Sequence, residues 1–368
     1  MASKKQRRYT AETHTTVVAP DTPDATMVIV RPLGKQFDLD VPLKNNDSRI
    51  SFSTATYEEV APRVGLKPVE MLKDVGSFEI QRSRIPKNLF KSIVIDMDIM
   101  LMQYGLPVEH DTEEATSRFY SPVFNLLVKQ FAFTLRNDPE TMIPGTQGRI
   151  AHFYRAFGAV VILFIEMRRI VGSRSEHLNA IAQVIAESDA CDFINREAGL
   201  LVPIHCILFD GWSFEFFKFE RMPDPTFLCG RFQGDPPDFR HGMQLPISET
   251  YLPFILRLRC VCETIFDIML SAYIAGMKAY YNREEDKGRK EGGKRLSDEW
   301  DQALCLAEHA QETFREAEVQ RKEGNIVSAN AIVDAALLAL HESTGALPTR
   351  YKSKPIMMGW DDAGVDRA

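Results

Sequence analysis

Glu166 and Arg168 stand two residues apart, where the apolar run Ala159–Glu166 (AVVILFIE) ends. On an extended strand, side chains at i and i+2 share a face, so this carboxylate and this guanidinium point to one side. A carboxylate is a hard-oxygen donor of the sort Mg²⁺ takes. An arginine presents a planar fork that clamps carboxylate or phosphate. Gln183 and Glu187 lie four apart in a segment of helical periodicity and share a helix face. Glu113 and Glu114 open an earlier helical stretch, and Asp210-Gly211 separates two apolar runs. Each has an ordinary counterpart: a charged strand end, a solvated helix face, a turn. Taken singly, those counterparts are favoured.

These residues must be held by recognisable elements. Glu113–Gln130 (EEATSRFYSPVFNLLVKQ) places Phe124, Leu127, Val128 and Phe131 on one side of a predicted helix, with Pro122 expected to kink it or start a new segment. Asp138–Gly148 reads as a Pro/Gly loop. Ile150–Phe157 and Ala159–Glu166 follow, the second fitting a strand buried on both faces. Glu176–Asn195 carries Leu178, Ile181, Ala182, Ile185 and Ala186 at helical spacing. Ile204–Phe209, the Asp210-Gly211 turn and Phe214–Phe219 read as a hairpin.

The order helix, strand, strand ending in E-x-R, helix with Gln and Glu, strand, D-G turn, strand resembles the PD-(D/E)XK nuclease-like superfamily, and most closely its divergent fungal-type members. The matched residues are Glu113 or Glu114, Glu166-Met167-Arg168, Ala182-Gln183 with Glu187, and Ile207-Leu208-Phe209-Asp210-Gly211-Trp212. The resemblance implies an α/β fold with a restriction-endonuclease-like core, a mixed sheet flanked by helices, over residues 110–221. In the family, two acids on adjacent strands cage a divalent metal that activates water for phosphodiester cleavage, and a Lys two residues after the second acid holds that water. By this likeness Glu166, Arg168 and Gln183 are the candidate catalytic residues, with Glu114 as a further candidate, and Glu166 is the candidate metal ligand. Two departures stand out. No Asp or Glu occurs from Ala151-Ile150-Arg149 or anywhere else between Thr141 and Ile165, where the first acid should be, and Arg168 replaces the Lys. His152 is a minor candidate for the vacant metal position.

Composition narrows the remaining choices. The 368 residues are 45% hydrophobic and 26% charged, with a net charge of −7. That sign argues against a protein coated with nucleic acid. However, Ser297–Glu342 holds ten acidic and three basic residues, so the rest of the chain is near neutral. The six cysteines form no disulfide or zinc-ribbon pattern. The N-terminal Lys4, Lys5, Arg7 and Arg8 have no apolar stretch behind them, and Cys260–Met277 is interrupted by Glu263 and Asp267. The expectation is an intracellular protein, nuclear or cytoplasmic, with no membrane span.

The predicted organisation is a disordered basic tail (1–25), an N-terminal β-containing region (26–109), the nuclease-like core (110–221), a loop and long apolar helical region (222–286), a basic glycine-rich linker (287–296), an acidic helical hairpin as an appendage (297–342) and a tail (343–368). In the N-terminal region Met27–Val30, Phe78–Ile80 and Ile93–Ile95 read as short strands. The favoured function is a catalytically inactive nuclease-like domain that binds nucleic acid through weak phosphate contacts, or a protein partner through 297–342, with no cofactor. Two alternatives are an active Mg²⁺-dependent nuclease with a migrated acid such as Glu114, Asp138 or Glu140, and a scaffold working through the hairpin.

Overall fold

The computed structural model describes residues 55–67, 75–106, 109–110, 112–142, 149–166, 174–211, 213–221, 223–235, 243–245, 251–291 and 298–348. The basic tail 1–25, Met27–Val30, Arg168 and the end of the linker lie outside them. The helices are α1 (Tyr57–Val60), α2 (Lys87–Tyr104), α3 (Glu113–Val128), α4 (Arg174–Glu197), α5 (Tyr251–Glu291), α6 (Asp298–Lys322) and α7 (Ile326–Ala346). The strands are β1 (Gly76–Glu79), β2 (Leu135–Met142), β3 (Arg149–Ala156), β4 (Ala159–Glu166), β5 (Ile204–Phe209), β6 (Ser213–Glu220), β7 (Thr226–Arg231) and β8 (Met243–Gln244).

The fold is α/β, built on one mixed eight-stranded open sheet in the order β1-β7-β6-β5-β4-β3-β2, with β8 pairing β6. β2, β3 and β4 form an antiparallel meander; α4 then crosses over so that β5 runs parallel to β4, and β6 returns antiparallel. Alternation splits each strand between two apolar layers. Phe153, Leu163, Cys206, Leu208, Phe217 and Phe219 pack with α1 and α4. Ile162, Ile207, Phe209, Phe214 and Phe216 pack with α2, α3 and the α5–α7 helices. The layers are helices, sheet, helices.

Several local expectations change. Asp138–Met142, read as loop, is the second half of β2. β2 is an edge strand, the place in a sheet where a proline such as Pro139 is tolerated. Ile93–Ile95, read as strand, lies inside α2, where Phe90, Ile93 and Met97 recur at helical spacing on the buried side. Pro122 does not break α3. It cannot donate to the carbonyl of Arg118, and the Ser121 hydroxyl donates to that oxygen instead, at 2.7 Å. β1 belongs to the central sheet through its parallel pairing with β7, so the N-terminal region contributes to the core. The basic segment from Lys287 to Glu291 continues α5 as helix.

The C-terminal hairpin is present, and it is no outlying appendage. Trp300 of α6 is buried and stacks on Tyr280 at 5.0 Å, and Phe314 meets Phe266 edge-on at 5.1 Å. The β3–β4 turn supplies another contact. Phe157 and Gly158 both have positive φ (51° and 92°), as a two-residue turn that follows strand twist requires. Phe157 holds this conformation with its ring against Tyr273, Tyr280 and Trp300.

By length and composition α5 and α7 could each cross a membrane. In α5, however, 83% of the apolar window is buried within the protein. Two acids inside its apolar stretch are answered internally: Glu263 by Arg82 and Arg259, Asp267 by Ser83 and Arg315.

Candidate functional site

The parallel pair β4–β5 and the crossover α4 define the place where the sequence put its chemistry. Glu166 is the last residue of β4 and stands opposite Phe209 of β5 in the register. The following Asp210 makes the turn into β6: its Oδ1 accepts from the Ser213 amide at 2.8 Å and the Ser213 hydroxyl at 3.0 Å, and Gly211 supplies a φ of 88°. The short polar residue and the glycine thus serve the turn, as the D-G pair suggested.

The amino-terminal half of α3 is docked at that same strand end. Tyr120 donates its hydroxyl to the Gly211 carbonyl at 3.4 Å and packs on the rings of Phe209 (4.6 Å) and Phe214 (5.9 Å). Burial, with Asp210 nearby, pushes its phenol pKa up. A side-chain carbon on Gly211 would meet the Thr116 methyl at 3.7 Å. The helix that carries Glu114 therefore begins beside the carboxyl ends of β4 and β5. Thr112 caps it by accepting from the Ala115 amide at 3.2 Å. Glu114 lies in the first turn of α3 and Glu166 at the end of β4, while Ala151 and His152 lie on β3, where His152 stands opposite Phe164.

Gln183 and Glu187 come from the other side of the sheet. The Gln183 amide donates to Glu187 Oε1 at 2.7 Å. Glu187 is 2% exposed. Burial pushes its carboxyl up to about 8, with the Gln183 hydrogen bond only partly opposing the shift. At neutral pH the group is mostly a carboxylic acid. The structure thus brings the start of α3, the end of β4 and the end of β5 together, and places the Gln183–Glu187 pair across the sheet from α3.

Sequence reasoning missed the polar contacts that fix α4. His177, in its first turn, is buried and lies 2.9 Å from both carboxylate oxygens of Glu215 on β6 through Nε2. Asn195 both donates to the Val160 carbonyl and accepts from the Val160 amide, at 2.7 Å each. Arg221 binds Asp189 and Asp192 of α4, and Arg196 reinforces Asp192 at 2.9 Å. Apart from Arg196–Asp192, an i,i+4 pair on α4, no local pattern marks these residues, because their partners are 29 to 38 positions away in the chain.

The described donors do not fit a Mg²⁺ cage. Asp210 is committed to Ser213, Glu187 is buried and protonated, and among the described residues no group of three or more His, Cys, Asp or Glu could hold a metal ion. No chemical step through a metal is derived from them. No family model and no curated protein matches the chain. The site is therefore read from its own geometry: two parallel strand ends, a helix start on one face and a crossover helix on the other. That is the general location of ligand sites in open α/β sheets.

Proposed function

We propose that this chain carries a catalytically inactive PD-(D/E)XK-like domain, with a restriction-endonuclease-like core, that binds nucleic acid at the carboxyl ends of β4 and β5. One observation carries the reading. A helix, a three-strand antiparallel meander, a crossover helix and a strand parallel to the third follow one another in that order, and Glu166 ends the third strand beside Phe209. The resemblance drawn from sequence included only two strands before the crossover; β2 makes the third. The departures in sequence explain why the domain is inert. A single carboxylate at Glu166 without a strand-borne partner holds Mg²⁺ poorly, and Arg168 supplies a clamp for phosphate in place of a water-positioning ammonium.

Binding in this reading uses phosphate contacts alone, so it is weak, insensitive to sequence and steeply reduced by salt. Arg168 supplies positive charge at that end. Lys287, which opens the basic segment Lys287–Arg295, follows the part of α5 that packs on Phe157 and Ala198, so it would hold phosphates further along, toward the opposite end of β4. A role for residues 297–342 in holding a protein partner falls to their outward acidic face, because Trp300, Phe314 and Leu340 are buried in the core.

Purified full-length protein should show no Mg²⁺-dependent cleavage of DNA or RNA above background. It should bind fluorescent oligonucleotides in an anisotropy assay with a steep salt dependence. Robust cleavage that disappears in Glu166→Gln would overturn inertness and restore the active nuclease. Absence of binding to any oligonucleotide at low salt would sink the nucleic-acid reading.

A further inference from the structure

Between residues 82–85, α5 and the α6–α7 hairpin, guanidinium groups outnumber the carboxylates that answer them. Glu263, fully buried, accepts from Arg82 Nη2 at 2.6 Å and from Arg259 Nε at 2.8 Å. Glu318, also buried, accepts from Arg321 Nε and Nη2 at 2.7 Å each, with Arg82 Nη1 3.6 Å away. Arg259 further donates to the Ile85 carbonyl at 3.1 Å. The two carboxylates are thus fully taken up by Arg82, Arg259 and Arg321.

Arg84 is the fourth guanidinium, and no described carboxylate pairs with it. It is 6% exposed. Its Nη2 donates to the neutral side-chain oxygen of Asn330 at 3.2 Å, and its buried Nε has no acceptor among the described residues. The neighbouring pair Asp267–Arg315 is balanced one for one, with two contacts of 2.9 Å. Among the described residues, four guanidinium groups against two carboxylates leave an excess of two positive charges. Burial first, and then Arg259 and Arg321, hold the Arg84 pKa below its ordinary value. Keeping an unpaired cation out of water is costly, so a counter-charge would stabilise the fold. The cluster reaches solvent through Arg321, about a third exposed, and through the exposed Asn330.

We propose that Arg84, with Arg259 and Arg321 around it and Asn330 at its rim, binds a phosphate dianion, either free phosphate or a phosphate monoester. The charge match favours a dianion: an excess of two is cancelled by it, whereas a monocarboxylate or a phosphodiester brings only one negative charge. The shape matches as well, because a tetrahedral oxyanion can accept at once from Arg84 Nε and from the Nη1 groups that Arg259 and Arg321 do not direct at Glu263, Ile85 or Glu318, which a halide cannot do with comparable geometry. This site stands independently of nucleic-acid binding at the β4–β5 end.

Thermal unfolding of the full-length protein, titrated with inorganic phosphate or AMP against sodium chloride at equal ionic strength, tests it. The expected result is a saturable rise in Tm with phosphate and with AMP, as mass action requires of a ligand held by the folded state. Arg84→Met should abolish that rise. Asn330→Asp should raise Tm in chloride, by placing a fixed carboxylate against Arg84, and should also abolish the phosphate response. This second variant keeps the test decisive if Arg84→Met does not fold. Equal melting in phosphate and chloride, or an undiminished phosphate response in Asn330→Asp, overturns the proposal. So does a response to a 5′-hydroxyl oligonucleotide, which carries only diesters, without one to phosphate.

Discussion

The Gln183 amide donates to the Glu187 carboxyl at 2.7 Å inside the layer between α4 and the sheet, a place from which water is excluded. The pair, a family match in sequence with a solvated helix face as its ordinary counterpart, is half-buried at Gln183 and fully buried at Glu187.

This burial makes stability depend on pH with a definite sign. Glu187 titrates near 8 in the folded protein and near 4.5 when free. The folded state holds the extra proton between those values, so this contribution is complete below about pH 4.5 and is lost as pH rises toward 8. His205 acts oppositely: burial, then Lys218, lower it to about 4, and its contribution is lost as pH falls below 6.5. Urea unfolding between about pH 6.5 and 8.5 should thus show parent stability falling by up to a few kcal/mol. Glu187→Gln should flatten that limb and be the more stable protein at its alkaline end. An equal slope in both proteins would show that Glu187 keeps its ordinary pKa.

Removing the hairpin should unfold the protein. A chain ending at Lys294 lacks Trp300, Phe314 and Leu340 from the core and leaves buried Asp267 without Arg315. Losses of this kind cost several kcal/mol each (about 3–5 for a large aromatic) against a total stability of about 5–15 kcal/mol. The truncated chain should fail to melt cooperatively in calorimetry. A soluble product melting at the parent midpoint would reinstate the hairpin as an appendage.

Two glycines in helices should respond in opposite ways to alanine. A Cβ on Gly276 of α5 would lie 2.7 Å from the Ala156 Cβ and 3.1 Å from the Ala156 carbonyl oxygen, so the helix must back away from β3. Gly276→Ala should cost about 1–3 kcal/mol. A Cβ on Gly345 of α7 would meet nothing within 4 Å. Gly345→Ala should be neutral or stabilising by up to about 1 kcal/mol. Chemical denaturation of both variants measures the contrast, and equal costs would contradict the close approach of α5 to β3.

If the nuclease-like reading is right, metal binding should be restorable. Ala151→Asp with Arg168→Lys puts an acid on β3, next to the strand that ends at Glu166, and returns the ammonium. Ile150→Asp and His152→Asp control for register, since a slip of one residue changes the face. Mn²⁺ should raise the Tm of one such variant and leave the parent unchanged. If none of the three folded registers gains metal-dependent stability, the resemblance should be abandoned.

The residues 150–220 were largely legible because their signals are local. Val160–Leu163 and Ile204–Phe209 are apolar runs too short for helices, Asp210-Gly211 encodes a turn, and Ala180, Ile181, Val184 and Ile185 repeat at helical spacing on the buried face of α4. The expected positions of Glu166, Gln183 and Asp210 on strand, helix and turn follow from the same local rules. Other features depended on partners distant in the chain. Asn137-Asp138-Pro139 becomes strand because β3 lies on only one side of it; Pro122 stays in helix because Ser121 satisfies the Arg118 carbonyl; and Ile93 is helical because its face meets the α3–α5 layer. Charge behaved in the same way. Sequence shows that Glu187 and Arg84 are ionisable, but burial decides that the first keeps its proton near neutral pH, and packing decides that the second meets Asn330 and no carboxylate among the described residues. Propensity and turn chemistry act over a few residues, whereas desolvation and ion pairing are properties of the surroundings that only the packed tertiary structure creates.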